Sequence, residues 1–143
     1  MGKVAIIGLF MINLFTWERG LESGHSSLKI TFLDVGHGDA IFIEFPHSGN
    51  MLIDGGEGGD DDRGRWVISP FLWDRGITRI DTVLLTHPHS DHVGGLATVM
   101  RNFKVRHVLD NRMPFNSTIY QGYNDMITKK NLNQRTVREG EEI

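Results

Sequence analysis

Three histidines and one aspartate fall within six residues, in His87-Pro88-His89-Ser90-Asp91-His92. Neutral imidazole nitrogen and carboxylate oxygen both bind zinc-like cations well. Crowded imidazoles repel one another once protonated, and each carries two ring nitrogens that are hard to satisfy in a half-buried place. A divalent cation resolves both problems. His87 and His89 are two residues apart, so in an extended segment they point to one side. Asp91 and His92 come where the chain turns toward a helix, and there they can address a second ion beside the first. Two ions ~3.5–4 Å apart can clamp a hydrolytic transition state. The chemistry implied is metal-dependent hydrolysis, and Asp91 is the candidate both to bind metal and to orient the nucleophile. A surface histidine cluster is the competing reading, and it leaves the ordered flanks of the motif unexplained.

Those flanks must position the motif. Asp81–Thr86 has a continuous apolar centre, as in a buried strand. Val93–Arg101 is expected to be a helix opened by Gly94-Gly95. Upstream, Leu28–Val35 and Ala40–Phe45 read as a strand pair joined by the turn Gly36-His37-Gly38-Asp39. Asn50–Asp54 reads as a third strand, followed by a Gly- and Asp-rich loop. Arg65–Arg75 is amphipathic, with Trp66, Val67, Phe71 and Leu72 on one face. Pro70 is expected to kink or break it, and Gly76 to end it. Val105–Leu109 predicts a strand, Ser117–Lys130 a helix with Ser117 as N-cap, and Gln134–Val137 a last strand. Strands first and then strands alternating with helices make an α/β layout, with at least one sheet face covered by helices.

The 143 residues, 39% hydrophobic and 23% charged, describe one small domain with a sizeable core. The absence of cysteine excludes a disulfide scaffold and Cys-ligated zinc. A net charge of −3 argues against bulk electrostatic binding of nucleic acid. Acidic residues concentrate in the first half, notably Asp60-Asp61-Asp62, which reads as a solvated turn. Arg101, Lys104, Arg106 and Arg112 can contact phosphate, or they are the solvated face of a helix and strand.

Val4–Phe15 is an apolar run of 12 residues behind Lys3. It is short for a membrane helix, which needs ~20 residues. It fits a secretory signal or a membrane anchor, with a buried N-terminal element as the competing reading. Residues 1–20 are therefore expected to be a signal or anchor and 21–27 a linker, with the folded domain in 28–143.

His87-x-His89-x-Asp91-His92, with the strand before it and Gly94-Gly95 after it, resembles the metal motif of the metallo-β-lactamase superfamily. The resemblance implies that His87 and His89 bind a first metal and that Asp91 and His92 bind a second. Two divalent ions are implied, zinc first, with manganese or iron also suited to a mixed nitrogen and oxygen set. Asp54, in Leu52-Ile53-Asp54-Gly55-Gly56, matches an aspartate that buttresses the metal loop. Its alternative is a carboxylate that simply bonds a Gly-rich turn. More narrowly, Thr31–Ala40 and Leu84–Gly95 are similar to the metallo-β-lactamase-like domain of ComEC-type DNA-uptake proteins. His37 stands where that family usually has Gln. It is either a contact behind the metals or to substrate, or an exposed turn residue.

The implied fold is the N-terminal half of an αββα sandwich, with the chain truncated about halfway through the domain. The superfamily uses further ligands downstream, but after His92 come only His107, Asp110 and Asp125. His107 reads as a strand-surface residue. The implied function is a nuclease-type hydrolase on the extracytoplasmic side of the inner membrane, next to channel helices and DNA. The isolated chain is expected to have little activity. The alternatives are a hydrolase of small esters, thioesters or lactams, and an inactive fragment.

Overall fold

The structure is a computed structural model and describes residues 26–142 apart from Ser48. The expected signal or anchor in residues 1–20, and residues 21–25 of the expected linker, lie outside the described residues. Within them, no helix is long and apolar enough to cross a membrane.

Six strands form one sheet in the order of the chain: β1 (Lys29–Phe32), β2 (Ile41–Glu44), β3 (Asn50–Ile53), β4 (Arg79–Leu85), β5 (Lys104–Asp110) and β6 (Asn133–Thr136). β1, β2 and β3 pair antiparallel, and β3 through β6 pair parallel. The short connections 33–40 and 45–49 allow hairpin returns, whereas each parallel step needs a crossover. Helical segments supply those crossovers. Gly64–Ile68 runs directly into α1 (Ser69–Asp74), then come α2 (Ser90–Val93), α3 (Leu96–Asn102) and α4 (Thr118–Lys129). Successive right-handed crossovers in one direction put their helices on one face of the sheet.

That face holds the core. Phe42, Leu52, Val83 and Val108 from the strands pack with Ile68, Leu72, Leu96, Met100 and Tyr123 from the helical segments. Leu52, Val83, Leu96 and Tyr123 are fully buried. The register places Ile30, Ile43 and Met51, then Phe32, Ile41, Ile53 and Leu84, in rows on the other face. Ile30 and Phe32 there are 49% and 75% exposed. The layout is one α/β layer pair, in accord with half of an αββα sandwich.

The expected break at Pro70 is a change of helix type instead. Pro70 has no N–H to give Trp66, and its ring crowds the Trp66 carbonyl. The preceding turn widens to a π-helix, with the Ser69 N–H and hydroxyl both donating to the Gly64 carbonyl. Proline then sits in the first turn of α1, where no donor is needed. The widening also turns Trp66 outward. Ile68 and Leu72 are the buried pair, with Val67 and Phe71 half-buried beside them, so the face expected from the sequence is corrected at Trp66. A second correction concerns Val93–Arg101, where Gly94-Gly95 separate α2 from α3 rather than opening a single helix. The acidic turn is only partly solvated. Asp61 pairs with Arg63, and Asp62 accepts from Arg65 N–H and the Thr98 hydroxyl. Ser117 caps α4 as expected, accepting from Tyr120 N–H.

Under α4, the Tyr123 hydroxyl donates to buried Asp110 at 3.3 Å. Burial first, and then the Asp110 charge, push this phenol well above its ordinary range. An unfolded tyrosine ionises near pH ~10, whereas Tyr123 in the fold keeps its proton. Stability is therefore expected to fall by about 1.4 kcal/mol per pH unit above that point, through this one group. Urea titrations from pH 9 to 11.5 should show that extra slope in the parent chain and not in Tyr123→Phe.

Candidate metal centre

The His87–His92 loop leaves the C-terminal end of β4, where parallel sheets gather side chains from neighbouring loops. β3, the neighbouring strand, ends at Ile53, and Asp54 follows in a left-handed conformation with φ +58°. Aspartate tolerates that region better than most residues. The kink turns the carboxylate back toward β4. It also sends Gly55 N–H to the His92 carbonyl at 2.7 Å, which ties the two loops together.

Asp54 is 2% exposed and both of its carboxylate oxygens accept hydrogen bonds. Oδ1 accepts from Thr86 N–H at 2.8 Å, and Oδ2 accepts from the Thr86 hydroxyl at 2.6 Å and from His92 Nδ1 at 2.9 Å. A carboxylate only accepts, so His92 must carry its proton on Nδ1. The Thr86 hydroxyl has spent its one hydrogen on Asp54. Its oxygen therefore accepts from His87 Nδ1 at 3.0 Å, which fixes that ring too. One buried aspartate thus sets both tautomers, His92 directly and His87 through Thr86. Both Nε2 lone pairs are left available.

The rings converge. His87 lies 3.9 Å from His92 and 4.7 Å from His89, centroid to centroid, and His89 packs on Phe115 at 5.2 Å. Asp91 Oδ2 stands 3.5 Å from His92 Nε2 and 3.3 Å from His37 Nε2. The first of these contacts is informative. With the His92 proton on Nδ1, a lone pair and a carboxylate oxygen face each other, so a proton or a cation must reconcile them. Two donors of one ion with bonds of ~2.0–2.2 Å can have this separation. The residues present therefore fit a divalent cation.

Residues 33–112 match the family model of the metallo-beta-lactamase superfamily. The chain belongs to that superfamily. It is 30% identical over 94 residues to ComE operon protein 3 of Bacillus subtilis (strain 168), covering 57% of this chain and 12% of that protein. Among solved structures, the metallo-β-lactamase SMB-1 bound to 2-mercaptoethanesulfonate superposes with a TM-score of 0.53. The identity is 20%, over 80% of this chain and 46% of that one. MEM-A1, a subclass B3 metallo-β-lactamase from a soil metagenome library, gives a TM-score of 0.52 and 19% identity, over 82% of this chain and 46% of that one. This superfamily member thus spans about half the length of these solved structures and a small part of its curated relative. The superfamily fold implies divalent metal binding.

All six site residues read from the sequence meet in this metallo-β-lactamase-type loop cluster: His37, Asp54, His87, His89, Asp91 and His92. Two participants were not singled out from the sequence. Thr86 relays the Asp54 bond, and its place beside His87 at the strand end was the available signal. Asp39 lies in the turn after His37, and Asp39, Asp54 and His92 offer ligand atoms within 4.8 Å of one another. That trio is a candidate cation site by proximity. Its chemistry favours a different role, because both Asp54 oxygens already accept hydrogen bonds and His92 Nδ1 bears a proton. Asp39 Oδ2, 3.8 Å from that nitrogen, adds negative charge behind the ring. Such charge makes the opposite nitrogen a better ligand.

The downstream candidates lie elsewhere. His107 is exposed on β5 and meets Asn133, and Asp125 is exposed on α4. Asp110 is buried and held by Tyr123, Gln134 and Arg112 N–H. Arg106 and Arg112 pair with Asp81 and Asp110.

Proposed function

We propose that this chain carries the metal-binding part of a hydrolase that cuts nucleic-acid phosphodiesters, of the DNA-uptake type. The observation that carries this reading is the tautomer control by Asp54, which leaves the Nε2 lone pairs of His87 and His92 available, with His92 Nε2 facing Asp91. In this reading His87 and His89 hold one ion, and Asp91 and His92 hold another, zinc being favoured by the imidazole content. Ions held there would supply a water of lowered pKa, toward ~7, and would stabilise charge on the phosphoryl oxygens. Asp91 would bind the ion through Oδ2 and orient the attacking water through its other carboxylate oxygen. His37 Nε2, beside Oδ2, keeps that carboxylate oriented. Asp54 and Thr86 hold the rings still, so little reorganisation is needed at the moment of reaction.

The resemblance of residues 31–40 and 84–95 to ComEC-type DNA-uptake proteins directs the substrate reading to DNA. With the apolar run Val4–Phe15, it also supports a domain outside the cytoplasmic membrane. Metal content and cleavage of a labelled DNA strand by the full chain test the proposal together. The expected result is at least one bound ion per chain and slow cleavage that stops in EDTA and returns with Zn²⁺ or Mn²⁺. Metal-dependent turnover of a thioester or lactam with none of DNA would move the substrate to the small-molecule class. A folded chain that takes up no metal would overturn the reading altogether.

A further inference from the structure

The helical stretch 64–74 leaves two indoles outside the core, Trp66 at 60% and Trp73 at 54% exposure. Both line one open cavity of about 520 Å³, with Pro70 between them and Arg65, Arg101 and Asn102 on its walls. Neither ring hangs free. The Arg65 guanidinium sits 4.5 Å from the centroid of Trp66, and Trp73 leans on Phe103 at 5.7 Å. Large flat rings fixed in this way, each with much of its surface bare, are stacking platforms.

The charge of the cavity selects the ligand. Its walls carry two arginines and one carboxylate, Asp62, and that carboxylate is already bonded by Arg65 N–H and the Thr98 hydroxyl. Arg101 makes a long bond of 3.3 Å to Thr98 and otherwise lies exposed on α3. The recess therefore offers π-faces and cationic forks side by side. Flat rings joined by phosphates match it, whereas a bilayer surface would need a convex edge.

We propose that this cavity binds single-stranded nucleic acid, with bases stacked on Trp66 and Trp73 and phosphates met by Arg65 and Arg101. A duplex hides its base faces, so it fits less well. The site lies on other elements than the His87–His92 loop. The class of ligand, though not the cavity, rests on the function proposed above.

Fluorescence anisotropy of labelled dT15 with the full chain, in EDTA, separates binding from cleavage. Trp66→Ala and Trp73→Ala are each expected to weaken binding roughly tenfold, while Trp→Phe keeps most of it. Arg101→Gln should reduce the salt slope by about one unit. Both indoles are exposed, so circular dichroism should show an unchanged fold. Failure of the parent chain to bind dT15, equal affinity in the Trp→Ala variants, or equal binding of a duplex would each overturn the proposal. Trp-dependent binding to anionic lipid vesicles without dT15 binding would overturn it as well. A chain that binds dT15 through these rings yet cleaves nothing would leave the cavity assigned and the nuclease reading refuted.

Discussion

Asp54→Ala is expected to destabilise the chain by about 3–5 kcal/mol, because each donor left without its acceptor costs about 1–3 kcal/mol. Three donors lose their acceptor at once: Thr86 N–H, the Thr86 hydroxyl and His92 Nδ1. Alanine must also hold the left-handed backbone at φ +58°, which aspartate tolerates better. Urea unfolding of the metal-free chain measures this directly. Asp54→Asn is the sharper variant, because it keeps the shape. Its carbonyl oxygen can still accept from Thr86, so a smaller loss of about 1–2 kcal/mol is expected. Its amide, however, turns a donor toward His92 Nδ1. The ring answers by moving its proton to Nε2, the nitrogen proposed to bind metal. Zinc affinity by calorimetric titration should fall about 10–100-fold although the fold persists. Unchanged affinity in Asp54→Asn would show that tautomer control is not what Asp54 does.

Gly38→Ala is expected to cost about 2–4 kcal/mol, from overpacking plus a positive φ. The φ is +88°, and a Cβ there would lie 1.7 Å from the Asp91 carbonyl oxygen. That oxygen is backbone, so the turn 36–39 must lift away from the His87–His92 loop. His37 would then leave Asp91, and Asp39 would leave His92. Gly76→Ala is the control, because its φ of +67° is also left-handed but nothing lies within 4 Å. It should cost only about 1–2 kcal/mol. The difference between the two variants measures the contact between turn and loop. Equal losses would mean that the turn does not lean on the site.

Much of this was legible in the residues themselves. The candidate ligands were written in one contiguous segment, since the spacing of His87, His89, Asp91 and His92 needs no distant partner to be noticed. The strands were legible because β-branched and aromatic runs alternate with Gly-rich turns, and the Ser117 cap because its hydroxyl acts within one helical turn. Trp66 was misplaced because an even 3.6-residue period was assumed across Pro70, where the backbone widens locally. Thr86 and Asp39 were not singled out because a hydroxyl beside a strand end and an acid in a turn have no distinctive pattern. Their roles arise only when β3 and β4 lie side by side and the 36–39 turn rests on Asp91.

The sequence by itself determined the cluster of candidate metal ligands, the α/β order of elements and the helix cap, because each depends on residues within a few positions of one another. Only the tertiary structure decided which nitrogen of His87 and His92 is free, because that depends on Asp54, more than thirty residues away in the chain, being buried against Thr86. Tertiary packing likewise decided that Trp66 and Trp73 share a cavity with Arg101, because α3 reaches them only when the crossover helices stack on one face of the sheet.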